Sequence, residues 1–464
     1  MRILKLLPLF GLILMTCPSH QLEFIPQHLK TKYGDALEAI FGMGVRLQAL
    51  LQGPTTNSSD NFIVSPISAA MIIGQMMLGA EGEFLNHLHE LISLPGKTPD
   101  QTYLLNTHKK DGQNVSHIVP YTKLHLQLGS LVRELKKSSF NRAHTLESSN
   151  ALFVNRNVKL YPEFSHEIRL LYQTDLQRMN FEKSKEAMDT INKWASDHTN
   201  GLIKNILPTP PNKHTAAIFS NAVYFLAEWE QPFSDELNSR ATFFVNHQTN
   251  VNVEFMSGFL EAVPYAESKT LNCKMLVLPY KNRELGMYFI LPNPGHKNEY
   301  DIKKFAQEAT APLILEMVEN LKNKDAVVKI PKISMTTSLS ILEPLQKYAS
   351  FKKANKEYQS ANANQVNMIY DKIEAYENFK PKDVPEIVLT KAARFNRMTV
   401  SDILQQITFS INEKGTEAGV VTSSIMDYNG GSKSFLANKP FMFFIRHEAT
   451  AATLFWGTIS NPVS

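Results

Sequence analysis

Side-chain nucleophiles need a base within hydrogen-bond reach, and short motifs can betray that geometry. This chain has no G-x-S-x-G turn of the kind that presents a serine at the end of a strand. His89 precedes Glu90, but no second histidine follows at the spacing that sets two imidazoles on one helix face for zinc. Gly42-Met43-Gly44 lacks the third glycine of a dinucleotide turn and follows no strand pattern. A Walker loop is absent, and no Cys/His cluster has zinc spacing. The cysteines are Cys17 and Cys273. Cys273 lies in L-N-C-K-M-L-V-L-P-Y, whose alternation reads as a strand with a half-buried thiol rather than a nucleophile. A triad assembled from distant residues leaves no local motif, so an enzyme is disfavoured rather than excluded. No metal and no resident cofactor are expected.

The chemistry-bearing residues sit in a chain of 464 residues, 43% hydrophobic and 20% charged, which excludes a disordered chain and a small disulfide scaffold. Forty-eight Lys and Arg against 44 Asp and Glu give a net charge of +4. That balance offers no whole-chain argument for nucleic acid or an anionic membrane as partner. Local basic patches remain, among them Arg133, Lys136 and Lys137, whose first reading is a solvated helix face. Arg2 and Lys5 precede an uncharged apolar run from Leu6 to Met15, then small and polar residues. This is the pattern of a signal peptide over residues 1–20, too short to span a bilayer. The mature chain, 21–464, is therefore expected to be secreted, soluble and a monomer. Asn57-Ser58-Ser59 and Asn114-Val115-Ser116 are glycosylation sequons that fit export.

The elements read as α+β. Helical spacing runs over Gly34–Leu51, and N-F-I-V-S-P-I-S from Asn61 predicts a short strand, then a helix capped near Ser65 with Pro66 in its first turn. Pro95–Tyr121 reads as a polar, irregular excursion. Tyr161–Tyr172 and Ser184–His198 read as helices, as does Ile302–Leu321. Strands are expected at Ala151–Val154, Ala216–Phe225, Ala241–Val245, Val251–Met256, Lys274–Pro279 and Met287–Leu291, with Ala326–Ile330, Thr408–Ile411, Phe441–Arg446 and Thr453–Thr458 following. Helices lead and strands follow, without regular βαβ alternation, so one large α+β domain is preferred. Phe351–Lys382, rich in Lys, Asn, Gln and Ala, reads as a solvated insertion, extending to about residue 390.

Five segments stand out in order: N-F-I-V-S-P-I-S at Asn61–Ser68, I-N-K-W-A-S-D-H-T-N-G-L-I at Ile191–Ile203, S-N-A-V-Y-F-L-A-E-W at Ser220–Trp229, S-I-N-E-K-G-T-E-A at Ser410–Ala418, and N-K-P-F-M-F-F-I-R-H with L-F-W-G-T-I-S-N-P at Asn438–His447 and Leu454–Pro462. Together they resemble the serpins. The resemblance implies a single-domain serpin fold with three β-sheets, eight to nine helices and an exposed reactive-centre loop. It implies a suicide inhibitor whose cleaved loop inserts into the main sheet. It assigns a hinge at Glu413, Gly415, Thr416 and Ala418, with hinge plus loop spanning 413–437. It places a shutter at Ser65, Ser68, Asn221 and Gln405, and a breach at Trp229. The family's spacing from the hinge glycine, carried over to Gly415, implies a reactive bond between Asn429 and Gly430, with Tyr428 as an alternative after a one-residue shift. Lys433 would serve a trypsin-like pocket only if the cut fell four residues later.

Three departures stand out. Val420 and Val421 replace alanines common in inhibitory hinges, Gln405 stands where the family usually has a His, and F-L-A-E-W replaces F-K-G-x-W. The resemblance makes the partner a serine protease of unknown identity. It also places Arg133, Lys136 and Lys137 near the helix that binds glycosaminoglycans in some members. A non-inhibitory carrier, chaperone or storage protein is the competing reading. The loop's own residues favour inhibition. Thr416, Ala418, Val420, Thr422 and Ser424 share one parity and are uncharged, while Glu417 and Asp427 lie on the other. Proline is absent between Pro385 and Pro440, so every loop residue keeps a ladder donor.

Overall fold

The computed structural model describes residues 27–51, 61–92, 101–110, 113–138, 144–294, 301–350, 386–394, 398–415 and 432–463. In chain order, α1 (Gln27–Leu51) leads to β1 (Phe62–Val64), α2 (Pro66–Gly79) and α3 (Gly82–Ile92). Next come β2 (Gln101–Lys110), β3 (Gln113–Thr122), α4 (Lys123–Ser138), β4 (His144–Asn155), β5 (Lys159–Leu160), α5 (Pro162–Tyr172), β6 (Asp175–Met179) and α6 (Ser184–Asp197). The strand-rich part holds β7 (Ala217–Ala227), β8 (Ser239–Phe244), β9 (Asn250–Ser268), β10 (Cys273–Pro279) and β11 (Leu285–Pro292). It continues through α7 (Ile302–Glu308), α8 (Ala311–Glu319), β12 (Lys322–Pro331) and β13 (Ile333–Ser340). The chain ends with β14 (Val388–Leu389), β15 (Ala393–Arg394), β16 (Met398–Ile411), β17 (Lys433–Leu436), β18 (Phe441–His447) and β19 (Ala452–Ile459).

One sheet has the order β13-β16-β7-β4-β6, with β14 on β16. A nine-stranded set runs β1-β19-β18-β11-β10-β9-β12-β17, with β8 on β9, while β5 with β15 and β2 with β3 make separate two-stranded pairs. Within β9, Ala262 has φ 49°, and the β12 register shifts between Lys324 and Ala326. Such a bulge bends a strand, and the two halves of β9 have different neighbours, β8 beside Asn250–Phe255 and β10 beside Tyr265–Ser268. That gives three principal sheets, beside eight α-helices among the described residues. β18 and β19 are buried along their whole length. Phe409 of β16 stacks on Phe443 of β18 at 5.1 Å, and Phe225 of β7 meets Phe455 of β19 at 5.4 Å. These ring pairs hold β16 and β7 against the second layer.

Several expectations need correction. The Pro95–Tyr121 excursion contains an antiparallel hairpin, β2 with β3, in register from Gln101↔Thr122 to Lys110↔Gln113. Its signal was the dipeptide Asp111-Gly112 between two strand-length runs. Ile302–Leu321 is two helices, because Pro312 in the first turn of α8 has no N–H to continue α7. β9 is far longer than Val251–Met256, and β13 was not expected at all, although Ile333, Met335 and Leu339 alternate with polar residues. Ser65 occupies the N-cap of α2 but makes no side-chain cap bond. Val388–Leu389 pairs with Thr399 and Met398, so this end of the expected insertion belongs to the sheet, while 351–385 lies outside the described residues. So do the signal-like segment 1–20 and Asn57, whereas Asn114 falls on β3.

Cys273 is fully buried rather than half-buried, because β10 is covered on both faces. Burial disfavours the thiolate and pushes its thiol up to about 12. A maleimide added to the native chain should therefore leave Cys273 unmodified, and the same reagent in urea should label it, as read by peptide mass spectrometry.

Candidate functional site

β16 and β7 run side by side and parallel, with Gln405 opposite Asn221. On the other side of β7, Asn150 of antiparallel β4 also faces Asn221. Register therefore lines up three amides across three strands. Gln405 Nε2 donates to Asn221 Oδ1 at 3.2 Å, and Asn221 Nδ2 donates to Asn150 Oδ1 at 3.0 Å. Asn221 Nδ2 also reaches the Ser149 carbonyl (3.2 Å) and Ser148 Oγ (3.4 Å). Gln405 Oε1 accepts the Ser65 N–H at 2.8 Å at the start of α2. Ser65 Oγ donates to Ser68 Oγ at 3.0 Å, and Ser68 Oγ lies 3.5 Å from Ser148 Oγ. The structure thus gathers Ser65, Ser68, Asn221 and Gln405 and adds Ser148, Ser149 and Asn150. Gln405 and Asn221 are 1% and 0% exposed, so each amide must be paired inside the protein.

At the far end of the same strand pair the chain turns back. Asn412 N–H donates to the Gly415 carbonyl and Gly415 N–H to the Asn412 carbonyl, at 2.9 and 3.2 Å. Gly415 has φ +128° and forms an antiparallel bridge to Glu228, just past the end of β7. A Cβ there would lie 2.7 Å from Glu228 Cα and 2.8 Å from Trp229 N, and closer still to the Ala227 carbonyl. Both the dihedral and the close approach therefore require glycine. Trp229 is 3% exposed and stacks on Tyr280 at 4.4 Å. Its Nε1–H donates to the Asn412 carbonyl at 2.9 Å, and its backbone N–H to that of Lys414 at 2.9 Å. Glu413 is buried and ion-paired with Lys332 at 2.8 Å, with the Asn238 amide also donating to it. Burial alone would raise the Glu413 carboxyl, but Lys332 and Asn238 hold it below its ordinary value.

The arrangement fixes a chain turn at the head of a parallel strand pair and ties that pair at mid-length by side-chain amides. It contains no nucleophile–base pair. Among the described residues no group of His, Cys, Asp and Glu could hold a metal, and no helix is long and apolar enough to cross a membrane. Thr416, Ala418, Tyr428, Asn429 and Gly430 lie outside the described residues. Asn150, Lys332, Asn238 and Tyr280 were not singled out in the sequence. Asn150 becomes visible only once strand register sets it opposite Asn221, and no local signal marks the others.

A family model described as "Serpin (serine protease inhibitor)" matches residues 45–462. The leukocyte elastase inhibitor of Xenopus tropicalis is 25% identical over 409 residues, covering 88% of this chain and 94% of that protein. The serine protease inhibitor 28Dc of Drosophila melanogaster is 26% identical, covering 86% and 75%. Among solved structures, human thyroxine-binding globulin has a TM-score of 0.69 at 18% identity, covering 94% of this chain and 99% of that one. Native protease nexin-1 with heparin gives 0.66 at 21%, covering 92% and 99%. At these identities the structures speak to the fold.

Two outcomes are expected of the latch and the turn. Gln405→Ala leaves the Ser65 N–H and Asn221 Oδ1 without their partner and should lower stability by about 1–3 kcal/mol in urea unfolding. Lys332→Met strands the Glu413 carboxylate and should cost about 1–2 kcal/mol at neutral pH, less than a fully buried pair because Lys332 is 32% exposed. Since the folded Glu413 carboxyl is depressed, its stabilisation is present above its ordinary value of 4.5 and is lost as pH falls through the folded value. Wild type and Lys332→Met should therefore converge in stability as the pH is taken below 4.5.

Proposed function

The chain belongs to the serpin (serine protease inhibitor) family, and on that premise we propose that it is a secreted inhibitor of extracellular serine proteases that traps them by inserting its own cleaved loop. The Gly415–Glu228 bridge carries the reading. It sets the first residue of the loop antiparallel to the end of β7, at the head of the seam between β7 and β16. A strand continuing down that seam would run antiparallel to both neighbours. One parallel pairing, the less stable kind per residue, would be exchanged for two antiparallel ones. Sixteen residues lie between Gly415 and Ser432, against eleven in β7, so the loop is long enough to fill the seam.

The protease supplies the nucleophile. Its hydroxyl oxygen adds to the Asn429 carbonyl, the Asn429–Gly430 bond breaks, and the Gly430 amine leaves carrying a proton. The resulting ester would normally be hydrolysed by water. Insertion of the new strand moves the acylated enzyme away before that happens (loop insertion in serpins is among the general examples of stored-strain release). This chain performs no turnover and is not an enzyme in this reading. The signal-like residues 1–20 and the sequons at Asn57 and Asn114 support secretion. The relatives named as protease inhibitors support the target class. A second reading, a non-inhibitory carrier, draws on Val420 and Val421 and on the fold shared with thyroxine-binding globulin.

Incubation with trypsin-like, chymotrypsin-like and elastase-like proteases should yield an SDS-stable complex with at least one of them, with a C-terminal fragment that begins at Gly430. Ala418→Arg puts a charge on the inserting parity and should turn the chain into a cleaved substrate with no complex. Glu417→Arg, on the outward parity, should keep the complex. Loop cleavage by all three enzymes without any complex would support the carrier reading.

A further inference from the structure

A cavity of about 370 Å³ opens between α4, the start of α2 and β4. Its apolar wall is Ile67 and Met71 of α2, Val132 and Leu135 of α4, Val223 of β7 and Leu454 of β19. Each of these six is nine-tenths or more buried, so their packing fixes the walls. Thr145, Ser148, Ser149 and Asn150 of β4 add a hydroxyl and amide edge. One cation, Lys136, lines the same space while remaining exposed, which places it at the opening. Among the described residues it has no ion pair, and burial of its surroundings lowers its amine without any counter-charge. Arg133 and Lys137, three residues before and one after on α4, are exposed and reinforce the positive mouth.

A pocket of a few hundred Å³ with apolar walls and a small number of polar groups at one end has the ordinary anatomy of a small-ligand site. A cation at the rim of apolar walls selects a ligand with one anionic end and one apolar body. We propose that this cavity binds a small amphipathic carboxylate, its head on the Lys136 ammonium and its body among Ile67, Met71, Val132 and Leu135. A polyanion such as heparin would use the same helix differently. It would bridge the exposed Arg133, Lys136 and Lys137 together and leave the cavity empty.

Isothermal titration calorimetry on the full chain, with decanoate below its micellar concentration, tests the site. One saturable binding event is expected. Lys136→Met should weaken it about tenfold or more, the loss of one charge-assisted contact. Lys136→Arg should restore most of it, and 1-decanol should bind far more weakly than decanoate. Val132→Phe, which fills the wall, should abolish binding, with circular dichroism reporting that the variant remains folded. Absence of saturable binding would overturn the proposal. So would decanoate affinity unchanged by Lys136→Met, or decanol binding as tightly as decanoate. Displacement of decanoate by a heparin oligosaccharide, with decanoate binding unaffected by Val132→Phe, would make the helix a polyanion surface and also overturn it.

Discussion

The parallel pairing of β16 with β7 is the constraint on which the rest of the structure depends. Every other neighbour of these strands in their sheet is antiparallel, β13 on β16 and β4 on β7. A parallel ladder is the weaker kind per residue, and at this one the side-chain amides of Gln405 and Asn221 are joined. The bond ties two strands that the Phe409–Phe443 and Phe225–Phe455 contacts hold on a common layer. A buried amide pair costs little while satisfied and much when broken, so it holds the two strands in this register.

The turn at residues 412–415 sits at the head of the same seam and is clamped from three sides. Trp229 holds the Asn412 carbonyl, Lys332 and Asn238 hold Glu413, and Ala227 to Trp229 close around Gly415. These contacts fix the turn at the end of the strand pair. Ala227 fits this packing, since its side chain is buried and its carbonyl faces Gly415.

Much of this was legible in the sequence, and the remainder has a physical reason. Ser65, Ser68, Asn221, Trp229 and Gly415 were marked because each lies in a short contiguous motif, and Gln405 because it stands where the resembled pattern usually has a His. Asn150 and Lys332 were not, because their meaning depends on partners 71 and 81 residues away, which only strand register and the turn bring near. The long apolar strands β18 and β19 announced themselves by composition. β13 did not, because Thr337 interrupts the apolar series Ile333, Met335 and Leu339 on its inward face. The split of α7 from α8 followed from Pro312, a local signal outweighed by the apolar periodicity on either side. Gln405 keeps the latch with an amide in place of an imidazole.

The central claim is that the cleaved loop becomes a strand between β7 and β16. Spin labels at Ser338→Cys on β13 and Gln177→Cys on β6 flank the seam, and buried Cys273 does not compete for label. Pulsed electron paramagnetic resonance before and after cleavage of the loop measures the width of the sheet directly. Insertion predicts a distance longer by one strand spacing, about 4.8 Å. A cleaved loop with an unchanged distance would contradict the account.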